Sequence, residues 1–102
     1  MRVAGHQVKM VQGEDEARAA APEADLLIVD LTADSYDGVM LVESMQMGAE
    51  LPTTRTLGFY AHTETDTKRR AHAAGFDLVV PRSRMNREGV ELAAKLLAAE
   101  FN

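Results

Sequence analysis

The stretch Asp25-Leu26-Leu27-Ile28-Val29-Asp30-Leu31 limits the possible folds more than any other part of the 102-residue chain. Its unbroken apolar centre has strand length and lacks the polar alternation of a half-exposed strand, so it reads as a central strand covered on both faces. A sheet with helices on both sides provides that cover. An aspartate follows the apolar centre, and its carboxylate must either reach solvent at the sheet's end or meet a partner there.

The surrounding segments alternate in the way such a sheet requires. His6-Gln7-Val8-Lys9-Met10-Val11 alternates polar and apolar residues with a β-branched bias, as a half-buried or edge strand does, and Gly13 ends it. Glu14 to Ala21 is a short acid-led helix stopped near Pro22. After the central strand, Thr32 to Gly38 is a loop of turn formers. Asp37 is placed to cap a helix through Val39, Met40, Leu41, Val42, Met45 and Met47 to Gly48. Pro52 breaks the chain before a strand over Thr56 to Ala61. Thr63 is placed to cap a polar helix that Gly75 closes in a left-handed conformation. Leu78-Val79-Val80 is a short strand ending at Pro81. The last helix, about Arg87 to Glu100, carries Val90, Ala93 and Leu97 on one stripe that Phe101 extends. Strand and helix alternate four times, which predicts right-handed βαβ units, a parallel sheet and one α/β domain over residues 1–102.

Charge and composition remove several classes of function. The longest apolar stretch before the last helix falls far short of a membrane span, and the first residues lack a secretory core, so a cytoplasmic protein without membrane contact is expected. The chain has no cysteine, hence no disulfide, thiolate chemistry or cysteine-held zinc. A net charge of −5 argues against nucleic acid as a partner. The charge is uneven: residues 1–51 hold ten acids against three bases, and residues 52–102 hold eight bases against six acids. Such polarity can orient a partner or a second copy.

In an open parallel sheet, functional groups gather at the carboxyl ends of the strands. That rule selects Asp30 and the loop after it, Tyr60 to His62, and Pro81 to Arg84. His6, His62 and His72 include no i, i+4 pair on one helix, so they read as surface residues and no metal site is expected from them. Lys68-Arg69-Arg70 reads first as a solvated helix face, and second, with Arg82, Arg84 and Arg87, as a basic patch for an acidic partner. The six methionines suit an adaptable core or interface. Neither a glycine-rich phosphate loop nor a Ser-His-Asp pattern is present.

Three segments in order resemble the receiver domain of two-component response regulators. Asp30-Leu31-Thr32-Ala33-Asp34-Ser35-Tyr36-Asp37-Gly38 is similar, without a gap, to the family's stretch from the phospho-acceptor aspartate to Asp-Gly. Leu57-Gly58-Phe59-Tyr60-Ala61-His62 resembles the fourth strand, with Tyr60 at the place of the switch Thr or Ser. Ala74-Gly75-Phe76-Asp77-Leu78-Val79-Val80-Pro81-Arg82-Ser83 resembles the fifth strand, with Arg82 at the place of the lysine. The resemblance implies a flavodoxin-like, three-layer parallel sheet. It begins near Gly5, so the family's opening strand, its paired acids and most of its first helix have no counterpart in the sequence.

Those departures carry the functional expectation. Phosphoryl transfer to a carboxylate needs cations to neutralise the spreading charge, and magnesium needs several oxygen ligands. Asp30, the carbonyl at Thr32 and waters are too few, and Asp34 stands where the family has proline. Arg82 is no equivalent of lysine and is able to pair with Asp30 permanently. Tyr60 is too bulky to slide inward, although its hydroxyl could hydrogen-bond Asp30. The expectation is therefore a degenerate receiver, not an enzyme, binding protein partners and no cofactor. Two alternatives remain: a genuine phospho-acceptor on Asp30, for which magnesium would be required, and a structural self-assembling domain.

The family's spatial strand order of 2-1-3-4-5 makes the missing strand an interior one. Its loss would leave the neighbouring strands two spacings apart, roughly 9 to 10 Å, unless they close up or another chain enters. The missing helix would uncover the last helix around Val90, Leu97 and Phe101. A homodimer or larger oligomer using that surface is expected.

Overall fold

The computed structural model describes residues 2–3, 5–32, 36–61 and 65–98. The elements are β1 (Arg2–Val3), β2 (His6–Val11), α1 (Glu14–Ala20) with a 3-10 turn at Ala21–Glu23, β3 (Leu26–Asp30), α2 (Gly38–Met47), β4 (Arg55–Tyr60), α3 (Thr65–Ala73), β5 (Leu78–Pro81) and α4 (Arg82–Ala98). Strands β2 to β5 form a parallel sheet in chain order, and β1 runs antiparallel along the outer edge of β2. The chain is thus an α/β protein with a four-stranded parallel sheet. No helix of the described residues is long and apolar enough to cross a membrane.

Sequential strand order decides where the helices lie. Each right-handed crossover moves one strand in the same direction, so the connecting helices must share one face. Accordingly α1, α2 and α3 pack on one side, where Ala17, Val42, Met45 and Ala71 meet Val11, Leu27 and Val29. Helix α4 takes the other side, setting Leu92, Ala93 and Leu96 against Val8, Leu26, Ile28, Leu57 and Phe59. All five residues of β3 are buried, as its apolar run demands.

Strand ends are pinned by carboxylates at the entering rim. Asp25 precedes β3 and accepts the Gln7 amide of β2 at 2.8 Å, and Asp77 precedes β5 and accepts the Thr56 amide of β4 at 2.8 Å. The expected cap is present: Asp37 Oδ1 accepts from the amides of Val39 at 3.0 Å and Met40 at 3.1 Å. Gly75 follows α3 in the left-handed region, with φ of 99°. Gly58 lies where the sheet admits no side chain, since a Cβ there would stand 2.8 Å from Leu31 Cδ1 and 2.9 Å from Phe76 Cε2.

Of the outcomes left open for the strands on either side of the interior strand that the resemblance implies, closing up is the one seen, and the fold departs from expectation in two other places. Strand β2 pairs directly with β3 from Val8 opposite Leu26 to Val11 opposite Val29. Buried amides and carbonyls left facing a gap would each cost free energy, and direct pairing satisfies them. Strand β1 was not expected, because two residues carry no readable period; Val3 pairs with His6 and covers part of the edge of β2. Helix α4 begins at Arg82 instead of near Arg87. Pro81 ends β5, an edge strand where a missing N–H disturbs no inner ladder, and its fixed φ suits direct entry into a helix. The surface expected to be bare is partly so: Val90 is 61% exposed, while Leu97 is half-buried against the α4-side core. Phe101, Asp34, His62 and Thr63 lie outside the described residues.

Candidate functional site

Asp30 ends β3, at the carboxyl rim, and is 5% exposed. Strand alternation places it on the α4 side with Leu26 and Ile28. Two residues later the chain turns back: the Thr32 amide donates to Asp30 Oδ1 at 2.8 Å and the Thr32 hydroxyl donates to the same oxygen at 2.5 Å. Short polar side chains favour this local turn.

Arg82 completes the constellation from the first turn of α4. Its Nη2 donates to Thr32 Oγ1 at 3.1 Å and stands 3.7 Å from Asp30 Oδ2. The guanidinium carbon lies 5.8 Å from the centre of the Phe59 ring, within cation–π range. Phe59 is the register partner of Asp30, so pairing itself brings the ring beneath the cation. A relay of donors thus runs from Arg82 to Thr32 to Asp30, ending on a side chain that is nearly buried and starting on one that is 55% exposed. The arrangement holds the carboxylate still and presents a guanidinium at the surface.

The expected site residues divide accordingly. Asp30, Thr32 and Arg82 come together. Tyr60 does not join them: it is buried in the core on the α1–α3 side, opposite to Phe59, and the hydroxyl on Asp30 is that of Thr32. The tyrosine beside Asp30 is Tyr36, which had read only as part of a turn-rich loop. Its hydroxyl donates to the main-chain carbonyl of Asp30 at 2.9 Å and approaches that of Val11 at 3.3 Å. It therefore spans the carboxyl ends of β2 and β3, the seam where the two strands have closed up. Burial, then the negative charges of Asp30 and Glu16, pushes the Tyr36 phenol up to about 12. The one available signal was an aromatic residue among turn formers.

Two ion-pair groups flank the rim. Arg70 of α3 donates to Asp37 Oδ2 at 2.8 Å, tying α3 to the cap of α2. Burial alone would raise the Asp37 carboxyl, but Arg70 and the Met40 and Val39 amides outweigh it and hold the group below its ordinary range. Arg18 of α1 bonds Glu50, Glu14 at 3.1 Å and Ser44 at 3.2 Å, clamping α1 to α2. His6 pairs with Asp25 at 3.7 Å. Among the described residues no group of three or more His, Cys, Asp or Glu side chains is placed to hold a metal ion. No known protein family and no curated protein matches this chain.

Proposed function

We propose that the chain is a receiver-like, flavodoxin-type recognition module that binds a protein partner through its rim and does not accept a phosphoryl group. One observation carries this reading: both oxygens of Asp30 already face donors of the chain itself, Thr32 on Oδ1 and Arg82 on Oδ2. An attacking carboxylate needs a free lone pair and a cation beyond it to gather the transferred group's charge. Here Oδ1 is hydrogen-bonded twice by Thr32, and the Arg82 guanidinium stands 3.7 Å from Oδ2, where that cation would lie. The magnesium implied by the family resemblance does not fit this donor set, because a hard cation asks for several oxygens and would stand against the Arg82 guanidinium.

Topology supports the same reading. Open α/β sheets bind small ligands in the crevice where strand order reverses. Strands β2 to β5 follow chain order without reversal. The rim therefore offers a surface, with Arg82 as its exposed charge.

Treatment with acetyl phosphate, or with beryllofluoride and magnesium, tests this directly. Intact-protein mass and amide NMR shifts around Asp30 are expected to stay unchanged. An adduct that forms on the wild type and is lost in Asp30→Asn would overturn the proposal and establish a phospho-acceptor.

A further inference from the structure

Large apolar side chains exposed among the described residues are Met10, Met40, Met47 and Val90. Two of them share one helix face. Met40 and Met47 are seven residues apart on α2, so they stand almost in line, about 10 Å apart along the axis, and are 61% and 83% exposed. Met40 opens onto a groove of about 440 Å³ between α1 and α2 that Glu14, Arg18, Asp37, Leu41 and Ser44 also line. Glu14, Asp15, Glu16, Asp37, Glu43 and Glu50 are the acids of these two helices and their ends, against Arg18 among them and Arg70, which reaches Asp37 from α3. Arg18 is itself bonded to Glu14 and Glu50. The groove is therefore apolar at its lip and negative around it, a surface suited to a helix that pairs an apolar strip with positive charge.

Such a helix exists in the same chain. Arg87, Val90, Ala94 and Leu97 follow one another on α4 at spacings of three, four and three, to one side of the stripe that faces the sheet. Val90 is exposed, Ala94 and Leu97 are only partly buried, and the Arg87 side chain is 70% exposed. Among the described residues α4 carries Arg82, Arg84, Arg87 and Lys95 against Glu88 and Glu91; Arg84 and Arg87 share Glu88 at 3.5 Å each and Arg82 faces Asp30, which leaves the helix with an excess of positive charge. We propose that the chain self-associates head to tail, the Arg87–Val90–Leu97 strip of one copy lying along the α2 face of the next, over the groove that Met40 lines and the exposed Met47 beyond it.

Charge selects this pairing over its symmetric rivals. Two α1–α2 faces brought together would oppose six acids with six, and two α4 faces brought together would leave Met40 and Met47 in water. The heterologous arrangement covers both apolar surfaces and matches opposite signs. It uses different surfaces on the two partners, so an open assembly always ends in one free groove and one free strip and can add further copies. The inference is independent of the chemistry at Asp30.

Mixing of two variants tests it. Met47→Lys with Glu43→Lys disables the groove, and Val90→Asp with Arg87→Glu disables the strip; all four positions are exposed, and thermal melts by circular dichroism confirm that each variant folds. Sedimentation equilibrium of the wild type is expected to show mass rising with concentration, and the association should fade at about 1 M salt, where the Debye length is about 3 Å. Each variant alone is expected to associate at least about tenfold more weakly. Their equimolar mixture should recover a 1:1 dimer and nothing larger, because it holds one intact interface. A wild type that stays monomeric at low salt would overturn the proposal. So would a mixture no heavier than either variant, which would mean a symmetric interface or another face.

Discussion

Replacing Tyr36 with phenylalanine removes one oxygen from the seam between β2 and β3 and leaves the ring's packing in place. The hydroxyl has one proton to give, and the shorter contact, 2.9 Å to the Asp30 carbonyl, takes most of it ahead of the 3.3 Å contact to Val11. A neutral hydrogen bond of this kind contributes about 1 kcal/mol net. Val11 is fully buried and Asp30 is 5% exposed, so carbonyls freed there add to that figure. At neutral pH the Tyr36→Phe variant should lose at least about 1 kcal/mol, a fall of about 4–8 °C or more in melting temperature for a chain near this size.

The pH dependence separates this bond from simple packing. The folded-state value of about 12 lies above the ordinary 10.0, so the native state holds this proton more tightly than the unfolded chain does. The associated stability is complete below pH 10 and is lost as pH climbs from there towards about 12. Phenylalanine has no such proton to lose. The wild type's advantage, measured by urea unfolding at about pH 8 and about pH 11, should therefore shrink by on the order of 1 kcal/mol, solvent screening at the half-buried ring included. Equal stabilities at neutral pH, or an advantage that stays constant into the alkaline range, would refute the assignment of Tyr36 as the strap of the seam.

Asp37→Ala should cost about 1 kcal/mol through loss of the α2 cap, whereas Asp37→Asn keeps the cap and loses only the Arg70 pairing. Because the Asp37 carboxyl is held below its ordinary 3.8, its contribution is present above that pH and disappears as the solution is acidified through the lower folded-state value; an acid titration of stability should be flatter for the Asn variant than for the wild type. Gly58→Ala would drive a methyl group to 2.8 Å from Leu31 and 2.9 Å from Phe76, and should destabilise by about 1–3 kcal/mol in chemical denaturation as the ring and the leucine are pushed off their rotamers.

Local order was legible in the sequence wherever one residue's neighbours along the chain decide its state. The apolar run at Leu26–Val29, the Asp37 cap and the left-handed Gly75 are of that kind. Contacts across the chain were legible only where the resemblance to receivers supplied the spacing, as for Asp30 and Arg82, 3.7 Å apart in the fold. Where that spacing was followed one residue too literally it failed: Tyr60 occupies the switch position by count, but strand alternation turns it away from Asp30 and brings Phe59 to that side. Tyr36, Arg18 and Asp77 escaped notice because each joins elements through polar contacts to residues distant in the chain, Tyr36 to Val11, Arg18 to Ser44 and Glu50, and Asp77 to Thr56, which leave no periodic trace. The start of α4 was misplaced because Pro81 reads as a stop, when on an edge strand it is also a suitable residue to precede a helix.

The direct pairing of β2 with β3 sets more than the width of the sheet. In a sheet whose order reverses, successive connections leave in opposite directions, and the crevice between them is bounded by loops that do not pack on each other. Consecutive order sends α1, α2 and α3 to one face, where they pack side by side, and leaves α4 alone on the other. Consecutive order offers no crevice of that kind and leaves two helical surfaces exposed, one acidic and bearing Met40 and Met47, the other bearing Val90 among more bases than acids. If an added strand could be inserted between β2 and β3 by extending the chain upstream with an acidic-ended strand and a helix, the Tyr36 strap would have to open and Arg82 would have to release Asp30. Metal binding and phosphoryl acceptance gained together in such a chimera would tie both properties to that single seam.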